Sequence, residues 1–217
     1  MKRLAIFDLD GTLLNTISDL GASCNYALEA LGFAQHPISA YNYMVGNGVR
    51  KLLERAQPDA SPETIDALLV KFREHYDLHN TDTTKPYPGI PELLHTLHDR
   101  GVALAVASNK YQKAASQIIS HFFPDIPWVA VLGQNDTRPV KPDPSIVFEV
   151  LSIHPTKKAD VLYIGDSAVD IETARRACVE SIGVTWGFRP VSELRKACAN
   201  HVVSNPEEIL KYLDDPF

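Results

Sequence analysis

Two aspartates near the start of the chain are spaced to share one ligand. The run Phe7-Asp8-Leu9-Asp10-Gly11-Thr12-Leu13 ends an apolar segment, Leu4–Phe7, which is typical of a strand buried on both faces of a parallel sheet. Open α/β sheets bind ligands at the carboxyl ends of such strands. Neighbouring carboxylates repel each other and resist desolvation, so a cation or a proton should accompany them. Taken alone, the pattern also fits an Asx-rich turn that ends a strand.

Polar residues follow three further apolar segments. Gly165-Asp166-Ser167-Ala168-Val169-Asp170 comes after one, Ser108-Asn109 after another, and Lys141-Pro142 lies in the loop after a fourth strand. Because the carboxyl ends of parallel strands meet at one sheet edge, we expect these groups to lie near Asp8. Carboxylate oxygens suit Mg²⁺, whereas hydroxyl and ammonium donors suit phosphoryl oxygens. Together they predict a site for Mg²⁺ and a phosphate group.

Short segments rich in Val, Ile and Leu alternate with amphipathic stretches and would position these residues. The predicted strands are Leu4–Phe7, Val102–Ala107, Trp128–Leu132, Val161–Ile164 and Ser181–Thr185. Helical patterns cover residues 91–101, 167–178 and 206–213. The alternation predicts an α/β doubly wound core with a parallel sheet and right-handed crossovers.

The stretch that follows the first strand has helical patterns and no convincing strand. Ser61, Pro62 and Glu63 are typical of a helix N-cap followed by its first turn. We therefore expect residues 15–85 to form a separate helical insert, called the cap below. The α/β catalytic core would comprise residues 1–14 and 86–217, with hinges near residues 14–16 and 84–88.

In combination, these residues resemble the four motifs of the haloacid dehalogenase (HAD) superfamily. The matching positions are Asp8-Leu9-Asp10-Gly11-Thr12, Ser108-Asn109, Lys141-Pro142, and Gly165-Asp166 with Asp170. The resemblance covers nearly the whole chain, including the position of the cap. It implies a Rossmann-like, HAD-like core and an enzyme that uses Mg²⁺.

The resemblance also implies a role for each matching residue. Asp8 would attack phosphorus and form an aspartyl-phosphate. Asp10 would protonate the leaving alkoxide and then activate water, while its backbone carbonyl ligates Mg²⁺. Lys141 would neutralise the phosphoryl oxygens and the nucleophile. The other implied contacts are those of Thr12, Ser108 and Asn109 to substrate, of Asp8 and Asp166 to Mg²⁺, and of Asp170 to Mg²⁺ directly or through water.

One segment of the cap, together with Leu13-Leu14-Asn15-Thr16 and Ser108-Asn109-Lys110, is similar to the phosphoglycolate phosphatase branch of the superfamily. Residues 44–53, with the sequence Met-Val-Gly-Asn-Gly-Val-Arg-Lys-Leu-Leu, place two glycines before a helix, where backbone N–H groups can meet an anion. The resemblance implies that Arg50, or the amides near Gly48, meet a substrate carboxylate. An ordinary helix–helix turn with a solvated Arg50 is the alternative.

The expected activity is hydrolysis of a small phosphate ester, such as 2-phosphoglycolate, by an Mg²⁺-dependent phosphatase. Within the same fold, a phosphomutase of the β-phosphoglucomutase type is an alternative. A phospho-accepting regulatory protein is a third possibility, since receiver domains also combine an acidic cluster with Ser or Thr and Lys. Such domains are smaller and lack an inserted helical cap.

Overall composition limits the kinds of partner. The formal charge of −6 argues against nucleic acids and membrane surfaces, although a local cationic pocket can hold a small anion. We expect Cys24, Cys178 and Cys198 to be reduced and to act as small buried apolar groups. No segment suits a signal peptide or a membrane span, and the tail from Asp214 is expected to fray. These features predict a cytoplasmic monomer or homodimer.

Overall fold

Six parallel strands form the central sheet of the computed structural model, which describes residues 1–214. The strands of this part are β1 (Leu4–Phe7), β2 (Leu14–Asn15), β3 (Lys85–Pro86), β4 (Ala103–Tyr111), β5 (Trp128–Gln134), β6 (Val161–Gly165), β7 (Glu180–Val184) and β8 (His201–Val203). The sheet order is β5-β4-β1-β6-β7-β8, and β2 pairs only with β3, antiparallel. The predicted α/β doubly wound fold is confirmed. β4 is longer than predicted, and β2, β3 and β8 are additional to the prediction.

Helices flank the sheet and make up the cap. They are α1 (Ile17–Ala30), α2 (Tyr41–Met44), α3 (Val49–Ala56), α4 (Pro62–His79), α5 (Ile90–Asp99), α6 (Gln112–Phe122), α7 (Ser145–Ile153), α8 (Ala168–Ala177) and α9 (Val191–Lys196). Three 3₁₀ helices cover Ile38–Ala40, Lys158–Asp160 and Pro206–Tyr212. The last of these replaces the α-helix predicted over residues 206–213.

Alternate residues of β1 face two different hydrophobic clusters. Ala5 and Phe7 belong to the larger cluster, which includes side chains of α5, α6 and the cap. Leu4 and Ile6 belong to the smaller cluster, with side chains of α7 and α8. Because β1 is fully buried on both faces, its four residues must all be apolar, and the first polar residue can appear only where the strand ends.

The strand register sets the carboxyl ends of β4, β1 and β6 side by side. Phe7, the last residue of β1, pairs with Val106 of β4 and with Ile164 of β6. The chain therefore leaves β1 at Asp8 beside the segments that carry Ser108-Asn109 and Gly165-Asp166. Three segments that are far apart in sequence meet at one edge for this reason.

Helices are the only regular elements between residues 17 and 79 of the described chain. Ser61 is the N-cap of α4 and accepts a hydrogen bond from Thr64 N at 3.3 Å, as its sequence context predicts. The two connections to the core are joined by the β2–β3 pair and by Asp19. This buried carboxylate accepts hydrogen bonds from the backbone N–H and the hydroxyl of both Thr83 and Thr84. The division of the chain into core and cap remains a prediction.

The structure corrects one expectation about the cysteines. Cys24 is buried, but Cys178 and Cys198 are exposed, so a buried apolar role is wrong for these two. Cys178 adopts the left-handed conformation that ends α8. No helix within residues 1–214 is long and apolar enough to cross a membrane. Most of the tail predicted to fray, residues 215–217, lies outside the described residues.

Candidate active site

A cavity at the carboxyl ends of the central strands brings together most of the predicted site residues. The predicted residues that line it are Asp8, Asp10, Gly48, Ser108, Asn109, Lys141, Asp166 and Asp170. Its other walls come mainly from the cap, with apolar side chains such as Leu20, Val45, Val49 and Leu52. The cavity therefore combines a polar floor from the core with a largely apolar roof.

Lys141 connects two of the aspartates. Its Nζ donates to Asp8 Oδ1 at 2.7 Å, to Asp170 Oδ1 at 2.7 Å and to the carbonyl oxygen of Ala107 at 2.9 Å. The side chain is 2% exposed, so these acceptors take the place of water. Burial alone would lower the pKa of Lys141, but the carboxylates of Asp170 and Asp8 raise it well above the ordinary value. Lys141 is therefore a permanent cation in the floor of the site.

One ammonium cannot neutralise the carboxylates around it. Asp8, Asp166 and Asp170 are all buried, and when all three are ionised Lys141 compensates only one of the three negative charges. Burial raises the pKa of Asp8 to about 7, in spite of the opposing effect of Lys141. Burial, and then the carboxylates of Asp170 and Asp8, raise the pKa of Asp166 well above its ordinary value. The cluster therefore needs a proton or a further cation.

Two backbone segments approach Asp166 so closely that only glycine fits at the points of contact. Its Oδ2 accepts a hydrogen bond from Phe188 N at 2.6 Å. A Cβ atom added at Gly11 would overlap this carboxylate, and one added at Gly187 would overlap the Cβ of Asp166. Gly11 also has a φ of +89°, which favours glycine. The two glycines allow the chain to pass close to Asp166 on two sides.

Asp170 has both carboxylate oxygens occupied. Its Oδ2 accepts a hydrogen bond from Ser167 N at 3.1 Å, which belongs to the capping box of α8, and another from Ser167 Oγ at 2.6 Å. Its Oδ1 accepts from Lys141. Asp170 therefore orients Lys141 and the start of α8, whatever else it binds through its remaining lone pairs.

A divalent cation fits the three buried aspartates. Asp8, Asp166 and Asp170 each offer a carboxylate oxygen, and these atoms lie within 4.8 Å of one another. Hard oxygen donors with an excess of negative charge suit Mg²⁺. The side chain of Asp10 is not part of this group. The resemblance to the HAD superfamily implies only a backbone-carbonyl contact from Asp10 to the metal.

Asp10 interacts with Lys110 and the start of the cap. Its Oδ1 accepts hydrogen bonds from Lys110 Nζ at 2.9 Å and from Thr16 Oγ1 at 2.7 Å. The carboxylate lines the cavity and is 13% exposed. It is therefore fixed in orientation and still accessible from the cavity.

Asn109 joins the lysine loop to the cap, while Ser108 lies beside it in the cavity wall. The side-chain oxygen of Asn109 accepts from Lys141 N at 2.8 Å, and its Nδ2 donates to the carbonyl oxygens of Lys141 and Gly46. Asn109 thus positions the segment that carries Lys141. It also fixes the cap segment that forms the opposite wall.

Two predicted substrate contacts are not in the cavity wall. Thr12 is completely buried, and its hydroxyl has no hydrogen-bond partner within residues 1–214. Arg50 forms a surface ion pair with Asp66, and its side chain is 46% exposed. The structure therefore brings neither residue to the site. Gly48 does line the cavity, with a φ of +83° immediately before α3.

Among the residues of the cavity that are additional to the sequence prediction are Lys110, Tyr76 and Arg189. Lys110 extends β4 and reaches Asp10, and its place beside Ser108-Asn109 was a usable signal. Tyr76 comes from α4 of the cap. Arg189, in the loop after β7, donates to the carbonyl oxygens of Asn42 and Val45 in the cap. Nothing in the local sequence marks Arg189 or Tyr76, because their positions depend on the contact between cap and core.

Known proteins match almost the whole chain in sequence. Residues 5–184 match the family described as haloacid dehalogenase-like hydrolase. The chain is 33% identical to the phosphoglycolate phosphatase of Psychrobacter arcticus, covering 98% of this chain and 96% of that one. It is 30% identical to the phosphoglycolate phosphatase of Aquifex aeolicus, covering 98% and 97%.

A solved structure from Lactobacillus delbrueckii subsp. bulgaricus, provisionally named a phosphoglycolate phosphatase, has the same fold. It superposes with a TM-score of 0.92 at 31% identity, covering 98% of this chain and 99% of the other. The chain therefore belongs to the haloacid dehalogenase-like hydrolases.

Proposed function

We propose that the protein is an Mg²⁺-dependent phosphatase that hydrolyses a small phosphorylated acid, such as 2-phosphoglycolate, through an aspartyl-phosphate. The observation that carries the proposal is the setting of Asp8. Its carboxylate lines the cavity at the end of β1, 2.7 Å from Lys141 Nζ. An oxygen of Asp8 also lies within 4.8 Å of the oxygens of Asp166 and Asp170.

Asp8 is the nucleophile in this proposal. One carboxylate oxygen forms a bond to phosphorus while the bond from phosphorus to the ester oxygen breaks. Lys141 keeps its charge in this environment, so its ammonium can move from pairing with the carboxylate to pairing with the phosphoryl oxygens. Ser108 lines the same cavity and can donate a hydrogen bond to them.

Mg²⁺ would be held by Asp8 and Asp166, with the backbone carbonyl of Asp10 and either direct or water-mediated contact to Asp170. When bound, the metal supplies charge neutralisation and alignment of the phosphate with the nucleophile. The uncompensated negative charge of the three buried aspartates supports a divalent cation over a second protein ammonium.

Asp10 is placed for proton transfer. The alkoxide that leaves phosphorus needs a proton, and the Asp10 carboxyl is the accessible acid that faces the cavity. In the second step the same carboxylate would take a proton from water, which attacks phosphorus and releases Asp8. Thr16 and Lys110 keep the carboxyl oriented between the two steps.

The assignment of a small acid as substrate is supported by the relatives and by the cavity. The relatives in Psychrobacter arcticus and Aquifex aeolicus are named phosphoglycolate phosphatases. Apolar side chains of the cap form the wall opposite the aspartates, so water can be kept from the reacting atoms. Such a cavity suits a small ester better than a phosphoprotein.

Phosphate release from a panel of esters tests the proposal. We expect hydrolysis of 2-phosphoglycolate that is abolished by a chelator, restored by Mg²⁺ and lost in Asp8→Asn. Transfer of labelled phosphate to a sugar instead of water would favour a phosphomutase. A phosphorylated protein that does not turn over would favour a regulatory role. No phosphate release from any ester would contradict the proposal.

A further inference from the structure

We infer that Tyr76 and Lys110 form a subsite for a second anionic group of the substrate, a carboxylate attached close to the phosphate ester. The inference rests on the proposed phosphatase function and specifies which groups choose the substrate. Both residues line the cavity, one from the cap and one from the core. The family resemblance implies a contact from Arg50 to this carboxylate, but Arg50 forms an ion pair on the surface instead.

The hydroxyl of Tyr76 is a hydrogen-bond donor without an acceptor. Tyr76 is completely buried and stacks on Phe72, with ring centroids 5.2 Å apart. Its hydroxyl has no partner within residues 1–214. Buried polar groups are nearly always paired. Because Tyr76 is one of the residues that line the cavity, a group bound there is the candidate for the missing partner of this hydroxyl. Burial, and then the carboxylates of Asp10 and Asp19, raise the pKa of Tyr76, so the hydroxyl keeps its proton.

Lys110 provides the charge beside Tyr76. Its Nζ lies 4.7 Å from the centre of the Tyr76 ring and is only partly occupied by Asp10, at 2.9 and 3.3 Å from the two carboxylate oxygens. An ammonium has three N–H donors, and both of these bonds point toward one carboxylate. Lys110 can therefore donate a hydrogen bond to a second carboxylate while it still contacts Asp10.

The other cations of the cavity already donate hydrogen bonds to several protein acceptors. Lys141 already donates to two carboxylates and a backbone carbonyl. Arg189 donates to the carbonyl oxygens of Asn42 and Val45. Recruiting either one for a carboxylate would break bonds that hold the nucleophile or the cap, whereas Lys110 can bind it without such a loss.

The position of Asp10 sets the length of the substrate. In the proposed mechanism Asp10 gives its proton to the ester oxygen, so that oxygen must lie within hydrogen-bond reach of the Asp10 carboxyl. Lys110 contacts the same carboxyl. A carboxylate near Lys110 is therefore separated from the ester oxygen by only one or two carbon atoms. This describes phosphorylated short hydroxy acids.

The ratio of kcat/KM values for an ester with a carboxylate and an ester without one tests the subsite. 2-Phosphoglycolate carries the carboxylate, and ethyl phosphate has a methyl group in its place. We expect the wild-type enzyme to prefer 2-phosphoglycolate. The ratio should fall about tenfold in Tyr76→Phe and about a hundredfold in Lys110→Gln. Tyr111→Phe is the matched control, because the Tyr111 hydroxyl already donates to Asp77 at 2.6 Å, and the ratio should stay as in wild type.

A binding measurement separates this inference from the proposed function. Calorimetry with Mg²⁺-loaded protein would compare 3-phosphonopropionate with propylphosphonate, neither of which can be hydrolysed. Tighter binding of the carboxylate that weakens about tenfold in Tyr76→Phe supports the subsite, even if no ester is turned over. Equal binding of the two phosphonates, or the same kcat/KM ratio in wild type and Tyr76→Phe, overturns the subsite and leaves the phosphatase proposal standing.

Discussion

Arg189 Nη2 donates a hydrogen bond to the carbonyl oxygen of Val45 at 2.5 Å, across 144 positions of sequence. The same guanidinium also donates to the carbonyl oxygen of Asn42, and both acceptors lie at or just after α2 of the cap. Asn109 adds a third contact through Gly46. Two residues from different strand ends of the core therefore hold one short segment of the cap over the cavity.

Removal of the Arg189 contact should loosen the cap. In Arg189→Met we expect KM for the substrate to rise about tenfold, with a smaller change in kcat, because substrate must then supply the free energy of closure. Steady-state kinetics and limited proteolysis near residues 80–88 would measure this, with Arg50→Met as a control that removes a surface cation. Wild-type KM and wild-type protease resistance in Arg189→Met would show that the contact does not control closure.

Gly11 should be required for the position of Asp166. Gly11→Ala places a Cβ against the Asp166 carboxylate, and we expect Mg²⁺-dependent activity to fall about 100-fold as Asp166, the proposed metal ligand, shifts. Gly32→Ala is a close control, since Gly32 also has a positive φ of +77° but nothing within 4 Å of the added Cβ. Both variants place an alanine at a positive φ, so equal activity losses would refute a specific role for Gly11.

The raised pKa of Asp8 should make the stability of the metal-free protein depend on pH. The pKa of Asp8 is raised from 3.8 to about 7, so between these values the folded state holds a proton that the unfolded state lacks. This group therefore lowers stability as pH rises from about 4 to 7. We expect Asp8→Asn to gain on the order of 2 kcal/mol of unfolding free energy over wild type between about pH 5 and pH 8.

Denaturant unfolding in the presence of a chelator would measure this difference at each pH. Mg²⁺ should reduce it, because the cation stabilises the ionised carboxylates of the wild type. A stability difference that does not change with pH would show that Asp8 has no raised pKa in the folded protein.

Asp19 should stabilise the fold by joining the two connections between core and cap through hydrogen bonds. Asp19→Ala removes the acceptor for the backbone and hydroxyl donors of Thr83 and Thr84, and we expect a loss of about 3 kcal/mol in unfolding free energy. Asp66→Ala removes an exposed ion pair and should change stability little. The unfolding curves of the two variants would be compared directly. Equal losses of unfolding free energy would mean that the hydrogen bonds of Asp19 contribute no more to stability than an exposed ion pair does.

The sequence was sufficient for the parts of the site that depend on local pattern. Asp8 follows a strand whose four residues are apolar because both faces are buried, so its place at a sheet edge could be predicted. Lys141 and Asp166 follow other strands of the same sheet. The parallel register then brings these ends together without any information from the cap.

The cap contacts could not be predicted in the same way. Arg50 and Arg189 are both cations near glycines or apolar residues in the sequence, but only Arg189 faces the cavity. The difference depends on how α2 and α3 pack over the core, which no short-range pattern encodes. Thr12 shows a related failure, since its motif placed it at the site but its side chain is completely buried outside the cavity wall. β8 has only three residues, too few for an alternating pattern to be seen.

Covalent capture of phosphate on Asp8 tests the central claim most directly. The experiment would mix ³²P-labelled acetyl phosphate, whose leaving group needs no proton from Asp10, with Asp10→Asn, in which loss of the water-activating carboxylate should slow hydrolysis of the intermediate. The reaction would then be quenched with acid and the labelled peptide mapped. We expect label, up to about one phosphate per chain, on the peptide that contains Asp8, and none when Asp8→Asn is added to the same variant. Label on another residue, or turnover of substrate by an enzyme that never carries label, would contradict the account.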